Sequence, residues 1–251
     1  MPPTKQPRRS DTIWRYMSVA EIISILDRRR LIFRQFRSLR RDDRAEGAIP
    51  KDLYARDRIL QGDSRAKAQG IRANADLRHC TYVQCWHQAT REHTAFWSIY
   101  GHRGVAVRTR ISSLKQQTFW RQLSLNGEGV VYADTWAEAE QKGLRVPEGI
   151  TPNRGAMLRK RRAFSWEKEW RIFYKPPTTR HGVLDARLPA NEYEIARKEW
   201  RAKWSQYEEL EIESVEWISR VIVAPGAPKW VLESISSIAT RHDVPCELSN
   251  I

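Results

Sequence analysis

The chain has 251 residues, of which 41% are hydrophobic and 29% charged, enough to bury a full core and too apolar for bulk disorder. No apolar run approaches the ~20 residues of a membrane helix. Three cysteines make no disulfide framework, and Met1 to Ser10 is basic and polar with no apolar secretory segment. The expectation is a cytoplasmic protein of bacterial type, with a disordered basic tail over residues 1–10 and one domain over residues 11–251. Lysine and arginine number 44 against 30 acidic residues, a net charge of +14. Such a surplus favours a polyanionic partner, since arginine forks match phosphate geometry.

Thr12 to Met17 reads as a strand by its aromatic and β-branched content. Ser18 then caps a helix, with Glu21 three residues on as a capping box. Val19, Ile22, Ile23 and Leu26 give that helix an apolar face, and Leu31 to Phe36 reads as the next strand. The segment from Arg28 to Arg44 is the most basic, and residues 51–78 read as helical without clear periodicity. Further strands are expected over His79 to Trp86, Gly104 to Arg108, Gly129 to Ala133 and Trp166 to Tyr174. Between them fall a short helix capped by Thr90 and another over Ser113 to Leu123. A short basic helix is expected at Met157 to Ala163, and His181 to Leu188 as hairpin partner of the strand ending at Tyr174. Asn191 is read as the cap of a long helix with a Tyr193, Ala196, Trp200, Trp204, Tyr207 stripe. Its acidic end opposes the helix dipole, so the helix should end early. A strand at Ile218 to Ala224, a helix after Pro228 and a strand at Val244 to Leu248 complete the chain. The fold class is α+β, a mixed and largely antiparallel sheet with flanking helices.

Phosphate-loop, dinucleotide and serine-elbow motifs are absent. His79, Cys80, Cys85, His87 and His93 cluster in sequence. On a strand Cys80 and Cys85 point to opposite faces and no C-x-x-C knuckle is present, so no metal is assigned. In Trp166 to Tyr174 taken as one strand, Glu167, Glu169, Arg171 and Phe173 share a face. The two carboxylates then stand about 7 Å apart by strand rise, which suits two-carboxylate chemistry on a sugar or ribose. The opposing reading is a simple Arg171–glutamate pair on an exposed strand. Trp86, Trp97 and Tyr100 offer stacking faces for a nicotinamide, an adenine or an unpaired base, or else pack the core.

These residues resemble the bacterial family catalogued as domain of unknown function 2971, from about Trp14 to Pro245. The resemblance is carried by Trp14-Arg15-Tyr16, Asp43 with Glu46-Gly47, and Cys85-Trp86 with Glu92, Trp97, Tyr100 and Gly104-Val105-Ala106. It continues through Lys160-Arg161, Phe164, Glu167 to Arg171, and Val221 to Pro228. The chain departs from the family at Asp42 to Glu46, where members carry an Asp-Pro-Phe-Glu run, and near Arg34, where they tend to have serine. The strand–helix–strand opening and later Glu-x-Glu strand are similar in order to ADP-ribosyltransferase-like folds. That similarity implies NAD as substrate, with Arg15, Tyr16 and Arg34 (or Phe33) holding it. It also implies Glu169 at the nicotinamide ribose and Glu167 as its partner. Intracellular toxins and phage-defence effectors are the class implied.

Three functions stay open at this level. One is that NAD-consuming enzyme, acting on nucleic acid. A second is a non-catalytic DNA- or RNA-binding module using Arg37, Arg40 and Arg41 with Arg159, Lys160, Arg161 and Arg162. A third is an interaction subunit docking through the Trp200, Trp204, Tyr207 stripe.

Overall fold

The computed structural model describes residues 12–41, 43, 46–47, 75–99, 104–144, 154–177, 184 and 188–251. The basic tail, most of residues 51–78, Tyr100 and most of the segment from His181 to Leu188 lie outside these. The fold is α+β, as the element pattern requires. Strand β1 (Thr12–Met17) leads into α1 (Val19–Leu26) and β2 (Arg30–Gln35), and a 3-10 turn spans Phe36–Arg41. Then come β3 (Tyr82–Gln88), α2 (Thr94–Ile99), β4 (Val105–Arg110), α3 (Ile111–Gln116) and α4 (Thr118–Gln122). Short strands β5 (Asn126–Gly129) and β6 (Val131–Tyr132) precede α5 (Trp136–Gln141). Strand β7 (Arg159–Lys160) lies between 3-10 turns at Arg154–Leu158 and Arg162–Glu167, and β8 (Glu169–Tyr174) follows. The chain closes with α6 (Ala190–Ala202), β9 (Tyr207–Glu211), β10 (Ile218–Val223), α7 (Lys229–Thr240) and β11 (Cys246–Leu248).

Among the described residues nine strands form one sheet, ordered β11-β10-β4-β1-β3-β2-β9, with β8 and then β5 joined to β3. All its pairings are antiparallel except β10 with β11. At β3 the sheet forks. Strand β8 occupies one edge from Tyr82 to His87. The other edge is shared, with β2 at Tyr82 and Val83 and β1 at His87 and Gln88. Between these contacts β1 and β2 part, and a cleft opens beside Cys85.

Period-two alternation separates the two faces. Ile13, Met17, Phe33, Tyr82, Trp86, Val105, Val107, Trp170, Ile172, Val221 and Val223 face the main core, where Ile22, Ile25 and Leu26 of α1 and Ile235 and Ala239 of α7 cover them. The second face carries two smaller apolar clusters. One holds Trp14, Tyr16, Phe96, Trp97, Ala106 and Ile222. The other holds Phe36, Val83, Trp136, Met157 and Phe173. Charged side chains lie between them.

The capping box forms as predicted, with the Glu21 N–H donating to Ser18 Oγ and the Ser18 N–H to the Glu21 carboxylate. On α1, Ile25 is buried where the sequence pointed to Ile23. Several boundaries move. The strand expected from His79 begins at Tyr82, because the backbone before it is still helical and the Cys80 N–H donates to the Asp76 carbonyl. The helix expected over Ser113 to Leu123 breaks in two at Gln117, whose backbone is extended. The helix assigned to Thr90 starts at Thr94, and Pro189 rather than Asn191 caps α6. The tryptophan stripe divides. Helix α6 ends at Ala202, Trp204 is buried against Tyr82, and Tyr207 opens strand β9. Trp200 packs edge-on against Trp204 and the main core, so these two tryptophans are held by their own chain. No helix among the described residues is long and apolar enough to cross a membrane.

Candidate functional site

The fork in the sheet holds a cavity of about 210 Å³. Its lining comes from β1 (Arg15, Tyr16), α1 (Glu21), β2 (Arg34), β3 (Cys85, His87), the segment after β2 (Asp43, Glu46), β7 (Lys160) and β8 (Glu169, Arg171), with Glu167 between the last two. Five residues singled out in the sequence, Arg15, Tyr16, Arg34, Glu167 and Glu169, therefore meet on one cavity.

Glu167 and Glu169 do not share a strand. Glu167 ends a 3-10 turn, and Lys168 follows in the left-handed region at φ 41°. This kink replaces strand spacing with convergence on one cation: Lys160 Nζ lies 2.6 Å from Glu167 Oε2 and 3.2 Å from Glu169 Oε2. Arg171 closes the other side. Its Nε and Nη2 donate to Glu169 Oε1 and Oε2 at 2.8 and 2.9 Å, a bidentate fork. The same guanidinium donates to the Met157 carbonyl and to Glu46. Arg171 is 0% exposed, so the reading of it as an exposed-strand pair is corrected. Burial pulls its pKa down to about 9, which leaves it charged at neutral pH. Burial also works against the Lys160 ammonium, but Glu169 and Glu167 outweigh it and raise its pKa above the ordinary lysine value. Two cations against Glu46, Glu167 and Glu169 leave this cluster one negative charge.

His87 stands opposite Glu169 across β3 and β8. Its Nδ1 lies 2.6 Å from the Glu167 carbonyl oxygen, so Nδ1 carries the proton and donates it. Nε2 is then an acceptor, buried and unpartnered. Burial keeps this imidazole below its ordinary pKa and thus neutral. Cys85, beside Arg171 in register, has its thiol pushed well up, first by burial and then by the Glu169 carboxylate, so it is not a thiolate nucleophile at neutral pH.

Arg15 shares parity with core-facing Ile13 and Met17, yet it lines the cavity where the fork opens. Its guanidinium is held by Glu21 at 3.0 Å, so one glutamate both completes the helix cap and fixes a site arginine. Burial disfavours the Glu21 carboxylate, but Arg15 and the Ser18 backbone outweigh it and hold its pKa low. Arg34 is exposed at the cavity wall, with its guanidinium over the Tyr207 ring at 5.9 Å. Among the described residues no carboxylate lies within ion-pair distance of it. Tyr16 accepts a hydrogen bond from the His93 N–H and stacks on Phe96.

The remaining predicted residues fall elsewhere. Trp97 is buried behind Tyr16, edge-on to it, with its indole N–H donating to Glu92, and it does not line the cavity. Tyr100 lies outside the described residues. Arg37 is exposed, 3.1 Å from His79 Nε2. Arg40 and Arg41 end the 3-10 turn after β2, and their side chains are not described. Two of the four residues from Arg159 to Arg162 are corrected as surface phosphate contacts. Arg159 is buried over Trp136 and donates to the Ala133 and Asp134 carbonyls, and Lys160 is the buried cation already described. Arg161 is exposed but pairs with Asp43, and Arg162 pairs with Glu138.

His87, Arg171 and the double role of Lys160 were not chosen from the sequence. The signal for Arg171 was its parity with Glu169, and its burial is what changes its meaning. Among the described residues no three or more His, Cys, Asp or Glu side chains group as a metal site. No family model, no curated protein and no solved structure matches the chain.

Proposed function

We propose that this chain is an NAD-consuming enzyme of ADP-ribosyltransferase-like chemistry. The observation that carries the reading is the convergence of Arg15, Tyr16, Arg34, Glu167 and Glu169 on one cavity at the fork. Cleaving the nicotinamide–ribose bond develops positive charge on the ribose. A buried, fixed cluster with one surplus negative charge stabilises that charge. Because Glu169 is clamped on both oxygens, its role is electrostatic and positional rather than that of a mobile base. Arg34, the cation at the wall without a carboxylate partner among the described residues, suits the pyrophosphate. The cavity volume of about 210 Å³ is smaller than the ~300–1,000 Å³ of typical ligand sites. It therefore takes the nicotinamide riboside half, with the adenylate extending past Arg34. A nucleic-acid acceptor belongs to the same proposal and rests on the net charge of +14. The resemblance to domain of unknown function 2971 and a role as a cytoplasmic toxin or defence effector are parts of this proposal too.

The test is release of nicotinamide from NAD by purified protein, with and without a mixed DNA and RNA pool. Glu169→Gln should abolish turnover. Since that change touches a buried ion cluster, Arg34→Gln is assayed beside it. This exposed residue leaves the fold intact, and its loss should raise KM for NAD with little change in kcat. No nicotinamide from the folded wild type in either condition, or full turnover in a folded Glu169→Gln variant, would overturn the reading.

A further inference from the structure

The second face of the sheet carries a separate groove of about 340 Å³, lined by Thr12, Arg108, Thr109, Arg110, Ser113, Ser219 and Arg220. Three arginines and four hydroxyls line it and no carboxylate does. Arg220 is paired with Glu247 at 2.7 Å from outside the lining. Arg108 lies over the Trp14 ring at 5.7 Å and Arg110 is exposed. Among the described residues, no carboxylate is within ion-pair distance of either.

Two features of the backbone make this more than a scatter of surface charge. Arg220 and Arg108 stand directly opposite on β10 and β4. Like charges in that position repel; Glu247 offsets Arg220, and a bound phosphate would do the same for Arg108. The register also shifts between Ile218 and Arg220, a bulge at Ser219 of the kind that re-aims a side chain beside a site.

The groove and the cavity are linked through one row of directly opposed residues. It runs Glu169, His87, Trp14, Arg108, Arg220 across β8, β3, β1, β4 and β10. At ~4.8 Å per strand, Arg108 lies about 14 Å from Glu169 on the same face. Within a duplex each strand rises 3.4 Å per phosphate, and a single strand is more extended, so about four nucleotides or fewer cover that distance.

We propose that the Arg108, Arg110, Arg220 groove binds the phosphodiester backbone of single-stranded nucleic acid; Trp14 and His87, between groove and cavity, are buried, so a strand reaching the cavity passes above the side chains that cover them. A single strand is the form the transferase reading calls for, because a base must be unpaired to meet the ribose of NAD at the cavity mouth. The groove's role as the acceptor site rests on the transferase reading, whereas its binding of a strand does not.

The test is fluorescence anisotropy with a labelled single-stranded 12-mer, as DNA and as RNA, without NAD. The full chain is compared with Arg108→Gln/Arg110→Gln and with Lys198→Gln/Lys203→Gln, which removes the same charge from exposed positions on α6 and at its C-terminal cap. Arg110→Glu is included because that side chain has no hydrogen bond or ion pair among the described residues, so the fold does not depend on it. We expect the wild type to bind at 50 mM salt, with about tenfold weaker binding in the groove double variant and in Arg110→Glu, and near-wild-type binding in the α6 variant. Losing two phosphate contacts should lower the salt slope by about 1.4, so the gap between wild type and groove variant narrows about sevenfold between 50 and 200 mM salt. Three results would overturn the proposal: no binding by the wild type at 50 mM, equal loss in the α6 variant, or displacement by low-millimolar inorganic phosphate as complete as by unlabelled oligonucleotide. Binding through the groove with no NAD turnover would remove the transferase reading and leave this one standing.

Discussion

Replacing Arg171 by methionine tests the central physical claim about the cavity, that its charges are buried and mutually dependent. Arg171 is 0% exposed and holds Glu169 by two hydrogen bonds of 2.8 and 2.9 Å. It is also the ion-pair partner of Glu46, itself 2% exposed. Methionine fills most of the arginine stem, so little packing is lost. The charge cluster goes from one surplus negative to two, with Glu46 left buried and unpaired. Breaking a buried pair on one side costs about 3–5 kcal/mol. At about 2–4 °C per kcal/mol for a chain of this size, the melting midpoint should fall by about 6–20 °C. The sign of the pH dependence follows. Without Arg171 burial disfavours the charged Glu46 carboxylate, so the penalty is full where that carboxylate is ionised and fades as acid neutralises it. Urea melts of both proteins by tryptophan fluorescence at pH 8 and pH 5 measure it. The deficit should be larger at pH 8. A deficit below about 1 kcal/mol at pH 8, the ceiling for exposed pairs, would refute the buried-network account, as would equal deficits at both pH values.

Two further expectations rest on other parts of the fold. Burial, then Arg201, Arg37, Arg197 and Arg78, hold His79 down to about 3, against 6.5 for the free side chain. The unfolded chain therefore takes up a proton that the folded chain refuses between pH 6.5 and 3, and stability falls through that window. His79→Gln should flatten the fall in melts at pH 7.5, 5.5 and 4, and parallel curves would contradict this. Gly127 of β5 lies where an added Cβ would overlap the Trp170 ring and crowd Trp120. Gly127→Ala should cost about 1–3 kcal/mol by overpacking, and an unchanged denaturation midpoint would refute it.

Much of the fold is legible where local chemistry and packing agree. β1, the Ser18–Glu21 box and the helix after Pro228 are set by side chains within a few residues of each other. Strand β9 is harder. Tyr207 to Glu211 reads as the acidic end of a helix, and only pairing with β2, with Arg30 opposite Glu211, makes it a strand. Glu167 shows the same limit at the site. Its alternation with Glu169 is real in sequence, but Lys168 adopts a left-handed conformation and the period-two pattern starts one residue later. Lys160 reads as one of four basic surface residues, because nothing local to it reveals the two carboxylates that surround it. What parity does convey is which residues share a face, and that brought Glu169 and Arg171 to the same side.

The row from Glu169 to Arg220 also bears on how the molecule comes to fold. Its neighbours come from stretches of chain far apart in sequence, so each step closes a long loop before any contact rewards it. Topologies of this kind fold slowly, in milliseconds to seconds. On the ribosome, β1 and β4 can pair while the remainder is still being made, but β8 and then β10 must emerge before the row is complete. The site is thus among the last parts of the molecule to exist, and a chain cut short before Glu169 lacks both that carboxylate and the Arg171 that clamps it.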